Sequence, residues 1–368
     1  MTLYINLIMK KKVVFLVTNL GSGGIENYLL RFIRFYQHEI DAYVVCTSGK
    51  SGILESDYKS AGAHIILMKI GYLDFGGFRT FRTFLKKHSF TCICAFTGNF
   101  AAFPLLIAKT VSVTKRIAFY RNAENRFKEN LIKIIFNKIS NFLVRISATK
   151  ILSNSYAAFN YYHSKHWEGN LKFEVIYNGL DTEQFLANRR DLRPSLNIPK
   201  DAFVVGHVGR YNPAKNHITM IDVATTLCNR YKDIYFIFCG QNVEHVVDEW
   251  KGEVSERIMF LPYRRDINSV LYSLDCFYFP SLTEGQPNAL IEAMISDLPI
   301  VASNIASIKE IIPSQLHEEM LILPLDKRAA VDKITNIYLD RDSNPKLAEW
   351  TQNNFKADML FGKFFANL

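Results

Sequence analysis

The sequence predicts an α/β chain of two domains, each a doubly wound parallel sheet. Three observations carry that expectation. At 368 residues the chain is long for a single hydrophobic core. An apolar strand passes through a glycine-rich turn into an amphipathic helix near the start, and the same theme returns after residue 200. Short apolar runs then alternate with helical runs through both halves, the signature of a parallel sheet covered by helices. A composition of 49% hydrophobic and 21% charged residues excludes a disordered, collagenous or low-complexity chain.

In the first half a strand spans Val13 to Thr18, and Asn19-Leu-Gly-Ser-Gly-Gly leads into a helix from Glu26 to Tyr36, with Leu29, Leu30 and Ile33 at helical spacing. Strands follow at Ala42 to Thr47 and Ile65 to Met68, with a helix between them around Gly52 to Ala61. Beyond them come a strand at Cys92 to Phe96, a helix at Ala101 to Lys109, a strand at Arg116 to Tyr120 and a long basic helix from Arg126 to Ala148. A strand at Lys150 to Ser153 and the turn Tyr177-Asn-Gly-Leu-Asp close this half.

The second half repeats the pattern. Strands are expected at Phe203 to Val208, Ile234 to Cys239, Ile258 to Leu261, Cys276 to Pro280 and Ile300 to Ser303, with a helix from about His217 to Arg230. No long Pro/Gly/Ser linker intervenes, which puts a short hinge near Asp181 to Pro194. The expected division is residues 1–183, residues 184–350 and a final segment, 351–368, within a tail that is helical in pattern.

Charge is unevenly placed. The net charge is +9, but residues 1–183 carry +12 and residues 184–368 carry −3. The cations of the first half are spread over a whole domain rather than one stripe, which suits an anionic membrane surface better than a nucleic-acid groove. The plainer alternative is solvated lysines on helix faces. Six dispersed cysteines in apolar runs read as buried small hydrophobes, with neither a disulfide framework nor a zinc site. No run reaches the roughly 18 to 20 apolar residues that span a bilayer. Lys10, Lys11 and Lys12 follow the apolar stretch Met1 to Ile8, the wrong order for a signal peptide, and Met9 is an alternative start.

Two loops and one segment carry chemistry. Gly23 and Gly24 lie between a strand and a helix, whose amino end offers unpaired N–H groups to an anion. The dinucleotide fingerprint is not met, because Glu26 stands near where its third glycine would fall and no acid follows the second strand. This is a phosphate or acceptor loop, or a tight turn without a ligand. Arg210 and Lys215 leave a strand end five residues apart and could neutralise a diphosphate, although such a pair is usually just solvated. The sharpest signal is Ser281-Leu-Thr-Glu-Gly-Gln-Pro-Asn-Ala-Leu-Ile-Glu-Ala-Met. Pro287 suits the first helical position, the N–H groups of Asn288, Ala289 and Leu290 would crown the helix, and Glu284 and Glu292 could grip two ends of a hydroxyl-rich ligand. Asp340-Arg-Asp342 imitates a metal-binding D-x-D but lies in a Pro- and Asn-containing loop, and no metal site is expected.

These segments together resemble the retaining glycosyltransferases of family 4, which have the GT-B fold. The likeness rests on Gly-Gly-Ile-Glu after the first strand, Val-Gly-Arg and Lys215 after the strand opening the second half, and the E-x7-E segment. Arg116-Ile-Ala-Phe-Tyr-Arg-Asn also resembles the corresponding stretch of capsule, exopolysaccharide and O-antigen enzymes. The resemblance implies two Rossmann-like domains facing across a cleft, residues 1–183 for the acceptor and 184–350 for a nucleotide-sugar donor, with 351–368 crossing back to the first. It implies that Arg210 and Lys215 bind the donor diphosphate, Glu292 the ribose, Glu284 the transferred sugar, and the backbone of Asn288 to Leu290 the phosphate. Gly285, Gln286 and Pro287 belong to the same donor loop. Tyr263 and Arg264 stand where the family reads the base, and Gly23 and Gly24 would approach the donor or acceptor.

One departure concerns the first domain. Many relatives carry a histidine in the stretch equivalent to Ala118 to Arg121, where this chain offers Phe119 and Arg121. A guanidinium cannot act as a base, so Arg121 would stabilise the leaving phosphate or bind an acidic group. The implied reaction is a same-face substitution with no cofactor, the nucleotide diphosphate-sugar being a co-substrate. The implied acceptor is a glycan or an undecaprenyl-diphosphate-linked glycan, met in the cytoplasm at the inner face of the membrane. Nucleic acid is not an expected partner. Two competing readings are a nucleotide-sugar epimerase of the same fold, which would epimerise donor without acceptor, and a non-catalytic sugar-binding protein, which would show no turnover.

Overall fold

The computed structural model describes residues 10–72, 74–121, 131–164, 166–341 and 345–368. Met1, Met9, Arg126 and Asp342, named above, lie outside the described residues. The chain divides into two units, residues 1–177 with 361–368, and residues 178–360. The division therefore falls before Asn178 rather than after residue 183, because the Asn178 side chain bonds forward into the second unit.

The first unit is a seven-stranded parallel sheet, β1 (Lys11–Val17), β2 (Ile40–Cys46), β3 (His64–Leu67), β4 (Cys92–Ala95), β5 (Lys115–Tyr120), β6 (Lys150–Ser153) and β7 (Phe173–Val175), in the order β3-β2-β1-β4-β5-β6-β7. Val13, Val14, Phe15 and Leu16 are wholly buried, as a parallel strand covered on both faces requires. The helix Gly24–Phe35 turns Tyr28, Leu29, Phe32 and Ile33 onto the sheet. Several described elements of this unit escape the sequence pattern, the helix Tyr156–His163 among them. The helix Phe75–His88 begins with Gly76-Gly77, a helix-breaking pair, and forms because Asp74 caps it, its Oδ1 accepting from the Gly77 N–H at 2.8 Å. The three-residue β7 is too short to read.

The tail completes this core. The sequence suggests one helical tail, whereas the structure has two helices, Ala348–Phe355 and Ala357–Asn367. Lys356 between them is extended and bridges Leu180. The first of these helices belongs to the second unit, packed on the helix Asn288–Ile295. Phe361 and Phe364 sit in the first unit, with ring centroids 5.5 Å from Tyr28 and 4.5 Å from Phe32 respectively.

The second unit is a six-stranded parallel sheet, β8 (Phe203–Val208), β9 (Ile234–Cys239), β10 (Ile258–Leu261), β11 (Cys276–Phe279), β12 (Ile300–Ser303) and β13 (Leu321–Ile322), in the order β10-β9-β8-β11-β12-β13. Each sheet reverses its winding direction once, between β1 and β4 and between β8 and β11. Both are doubly wound, as the sequence predicts, and in such sheets ligands bind outside the carboxyl ends of the strands at the reversal. All six cysteines are buried and unbridged.

Candidate functional site

In the second unit two loops leave the sheet at its reversal point, Gly209–Asn216 after β8 and Pro280–Pro287 after β11. They are joined by backbone and side chains alike. The Leu282 N–H donates to the Ala214 carbonyl at 2.8 Å. Asn216, in the left-handed conformation, donates from Nδ2 to the carbonyls of Pro280 and Pro324, at 3.1 and 2.8 Å. Gly240 closes the loop from beneath: a Cβ there would lie 2.2 Å from the Gly209 carbonyl oxygen, so only glycine lets the β9 exit approach that closely.

Between these loops Lys215 Nζ donates to Glu284 Oε1 at 2.6 Å. The lysine also sits 4.7 Å from the centroid of Phe279, and both members of the pair are more than three-quarters shielded from solvent. Arg210 is exposed at the mouth of the same loop. Below lie two buried imidazoles. His207 Nδ1 faces the Tyr278 carbonyl at 3.1 Å, and burial, His217 and Lys215 hold its pKa well below the ordinary value. His217 is pushed down to about 4, by burial first and Lys215 second. Both are neutral at pH 7.

The helix Asn288–Ile295 points its amino end at this place. Pro287 is extended, with φ −79° and ψ 110°, and serves as the cap rather than the first helical residue. Its ψ is incompatible with a helical turn, so the helix starts one residue later than the sequence suggests. No side chain caps the helix, and its first N–H groups, on Asn288, Ala289 and Leu290, have no backbone acceptor among the described residues. Glu292 is buried one turn inside, only 5% exposed. Asn178 holds the loop from the side: its N–H donates to Gln286 Oε1, and its Nδ2 donates to the Gln286 carbonyl at 3.2 Å and to Asn288 Oδ1.

In the first unit, Gly23 is the extended cap of the helix Gly24–Phe35, again without a side-chain cap. Gly52 fixes that loop, because a Cβ there would meet the Leu20 carbonyl at 2.2 Å. Arg121 follows β5 and is buried, its guanidinium carbon 3.7 Å from the centroid of Tyr28 and 5.0 Å from that of Phe119. Its Nε and Nη1 have no hydrogen-bond partner among the described residues. Burial lowers its pKa to about 10, which still leaves it charged at neutral pH.

With this geometry in place, residues 202–340 match the family described as Glycosyl transferases group 1. Over 82% of its length the chain is 25% identical to the capsular polysaccharide biosynthesis glycosyltransferase CapH of Staphylococcus aureus, covering 83% of that protein. Over 37% of each chain it is 33% identical to an Escherichia coli UDP-Gal:alpha-D-GlcNAc-diphosphoundecaprenol alpha-1,3-galactosyltransferase. In fold it is similar to Anabaena Alr3699/HepE, solved in complex with UDP and glucose, with a TM-score of 0.78, 18% identity and coverage of 97% of this chain and 98% of that one. The architecture is GT-B.

The second unit gathers most of the residues singled out by sequence: Lys215, Glu284, Gly285, Gln286, Pro287, Asn288, Ala289, Leu290 and Glu292 lie around the β8/β11 reversal, with Arg210 at its mouth. Arg264 is different. Its planar fork is already engaged by Asp266, Nε to Oδ1 at 2.9 Å and Nη2 to Oδ2 at 2.7 Å, while Tyr263 beside it is half-buried. Asn178, Asn216 and Gly240 are missing from the sequence reading. Asn-Gly at 178–179 reads as a turn, and nothing local reveals partners 108 and 110 residues further along.

Proposed function

We propose that this chain transfers a sugar from a nucleoside diphosphate donor to a glycan acceptor, with retention at the anomeric carbon, in the synthesis of a bacterial surface polysaccharide. The observation that carries the proposal is the Lys215–Glu284 pair beside the uncapped helix Asn288–Ile295 at the β8/β11 reversal. Positive charge and free N–H groups suit a diphosphate, and carboxylates suit the hydroxyls on either side of it.

In this reading Arg210 and Lys215 meet the diphosphate, so that no metal is required. The N–H groups of Asn288 to Leu290 bind a phosphate oxygen, Glu292 accepts from the ribose hydroxyls and Glu284 from those of the sugar. Tyr263 lies near the base; Arg264, held by Asp266, acts there through a shared ion pair. The bond from the anomeric carbon to the phosphate oxygen breaks as the acceptor oxygen bonds to the same face, and the acceptor proton passes to a phosphate oxygen. Nucleoside diphosphate leaves. The chain's part is positioning and electrostatic stabilisation. Gly23, Gly24 and Arg121 of the first unit contribute anion contacts, Arg121 to the leaving phosphate or to an acidic group.

The name of the CapH relative supports a capsule setting, and that of the galactosyltransferase an acceptor on undecaprenyl diphosphate. Among the described residues no helix is long and apolar enough to cross a membrane. The basic first half would then hold the enzyme in the cytoplasm, peripheral to the anionic inner face of the membrane. The test is a thermal-shift panel of UDP-, GDP- and ADP-sugars followed by nucleotide release: one donor raises the midpoint, and Glu292→Ala and Arg210→Ala each abolish release. Undiminished release in both variants overturns the proposal.

A further inference from the structure

The helix Leu131–Ser147 has two apolar sides and only one of them is covered. Ser140, Val144 and Ser147 are buried on one side. Leu131, Ile132, Ile135, Ile139, Phe142 and Ile146 point the other way, from 45% to 78% exposed. At 3.6 residues per turn these six fall within an arc of about 100°, a continuous stripe along the full length of the helix. Such a run of large exposed side chains is unusual on a soluble surface and marks a place of contact.

The charges around the stripe indicate what it contacts. The helix contains no acidic residue. Lys138 and Arg145 lie along one edge of the stripe, the Arg145 guanidinium 6.0 Å from the ring of Phe142. At its carboxyl end Lys109 donates to the Ile146 carbonyl at 3.1 Å. The helix Phe75–His88, in the same unit, exposes Arg79, Arg82, Lys86 and Lys87. Tyr72, itself half exposed, ties the two regions together through ring contact with Phe136 at 5.2 Å. An apolar face bordered by cations, with no anion among its own residues, matches an acyl layer under anionic headgroups.

We propose that the Leu131–Ser147 helix lies in the plane of an anionic membrane, its six-residue stripe inserted at the headgroup–acyl boundary and Lys138 and Arg145 among the phosphates. This deepens the membrane part of the proposed function and rests on it: docking is by insertion of one named helix, not by diffuse attraction alone.

The test uses the full chain with vesicles of phosphatidylglycerol and phosphatidylcholine. Because all six native cysteines are buried, Ile139→Cys can be labelled alone with a polarity-sensitive dye, with Leu171→Cys, at a 92% exposed site, as the control. A blue shift at 139 and none at 171, together with a fall of about tenfold or more in partitioning for Ile135→Glu/Phe142→Glu at unchanged thermal midpoint, is the expected result. Salt-sensitive binding of the wild type with no shift at 139 and an undiminished double variant overturns the helix assignment while leaving membrane docking intact. No vesicle binding by the wild type overturns both. A dimer that the double variant abolishes, without vesicle binding, gives the stripe to a second copy and overturns the proposal as well.

Discussion

Lys215 and Glu284, 69 residues apart in sequence, meet at 2.6 Å where the sheet of the second unit reverses its winding. Each holds the other in place against the ring of Phe279 and the joined loops around it. Their effects on turnover are therefore coupled. Glu284→Gln and Lys215→Met should each lower nucleotide release by about 100-fold, and the double variant should fall well short of the product of the two losses. Release rates for the four proteins of this cycle are the measurement; a fully multiplicative double variant would mean that the two side chains act separately.

Asn178 acts at one remove from any donor. Its side chain donates to the Gln286 carbonyl and to Asn288 Oδ1 in a buried setting. Asn178→Ala leaves those acceptors unpaired and should cost about 1–3 kcal/mol of stability. Because it loosens the start of the helix Asn288–Ile295, the Michaelis constant for donor should rise by a larger factor than kcat falls. Denaturant melts and steady-state kinetics check both parts, and an unchanged Michaelis constant would confine Asn178 to a structural role.

Arg121 presents a trade between stability and activity. A buried guanidinium with Nε and Nη1 unpaired among the described residues is costly to the folded chain. Met in its place keeps contact with Tyr28 and Phe119 and removes the charge. Arg121→Met should thus melt higher than the wild type while nucleotide release falls by about 100-fold or more. Calorimetry and the release assay on one preparation decide it.

His163 gives a pH dependence of defined sign. Packed against Tyr120 and Phe173, with neither ring nitrogen partnered among the described residues, it is held down to about 3 by burial, then by Arg145 and His166. Its folded pKa lies below the ordinary value near ~6.5. The stability it contributes is complete above about pH 6.5 and is lost progressively as pH falls from there towards the folded value. His163→Phe removes that loss. The variant's advantage in unfolding free energy should grow by about 2 kcal/mol between pH 7.5 and 4.5; a constant difference across that range would exclude a titrating His163.

Strands β8 to β11 of the second sheet were legible because they are short apolar runs stopped by Gly209, Gly240, Pro262 and Pro280, each a local signal, whereas the two-residue β13 is too short to read. The E-x7-E segment was legible for the same reason, since a loop, a proline and a helix follow one another directly. What could not be read depends on distance. Asn216 bonds to Pro280 and Pro324, and Asn178 to Gln286 and Asn288, pairings that no window of neighbouring residues contains. The cap at Pro287 and the break at Lys356 turn on single ψ values of 110° and 130°, which residue type alone leaves open. The Arg264–Asp266 pair was within reach: a single residue separates them, and the sequence already shows both.

Phe361 and Phe364 have a consequence for the order in which the chain comes together. They fill the core beside Tyr28 and Phe32, yet they are synthesised only after every residue of the second unit. Domains commonly fold from the amino end as they leave the ribosome. Here the amino-terminal unit emerges first but must wait, its aromatic pocket open, while 183 residues of another unit are made and folded. Residues made after the second unit close the first.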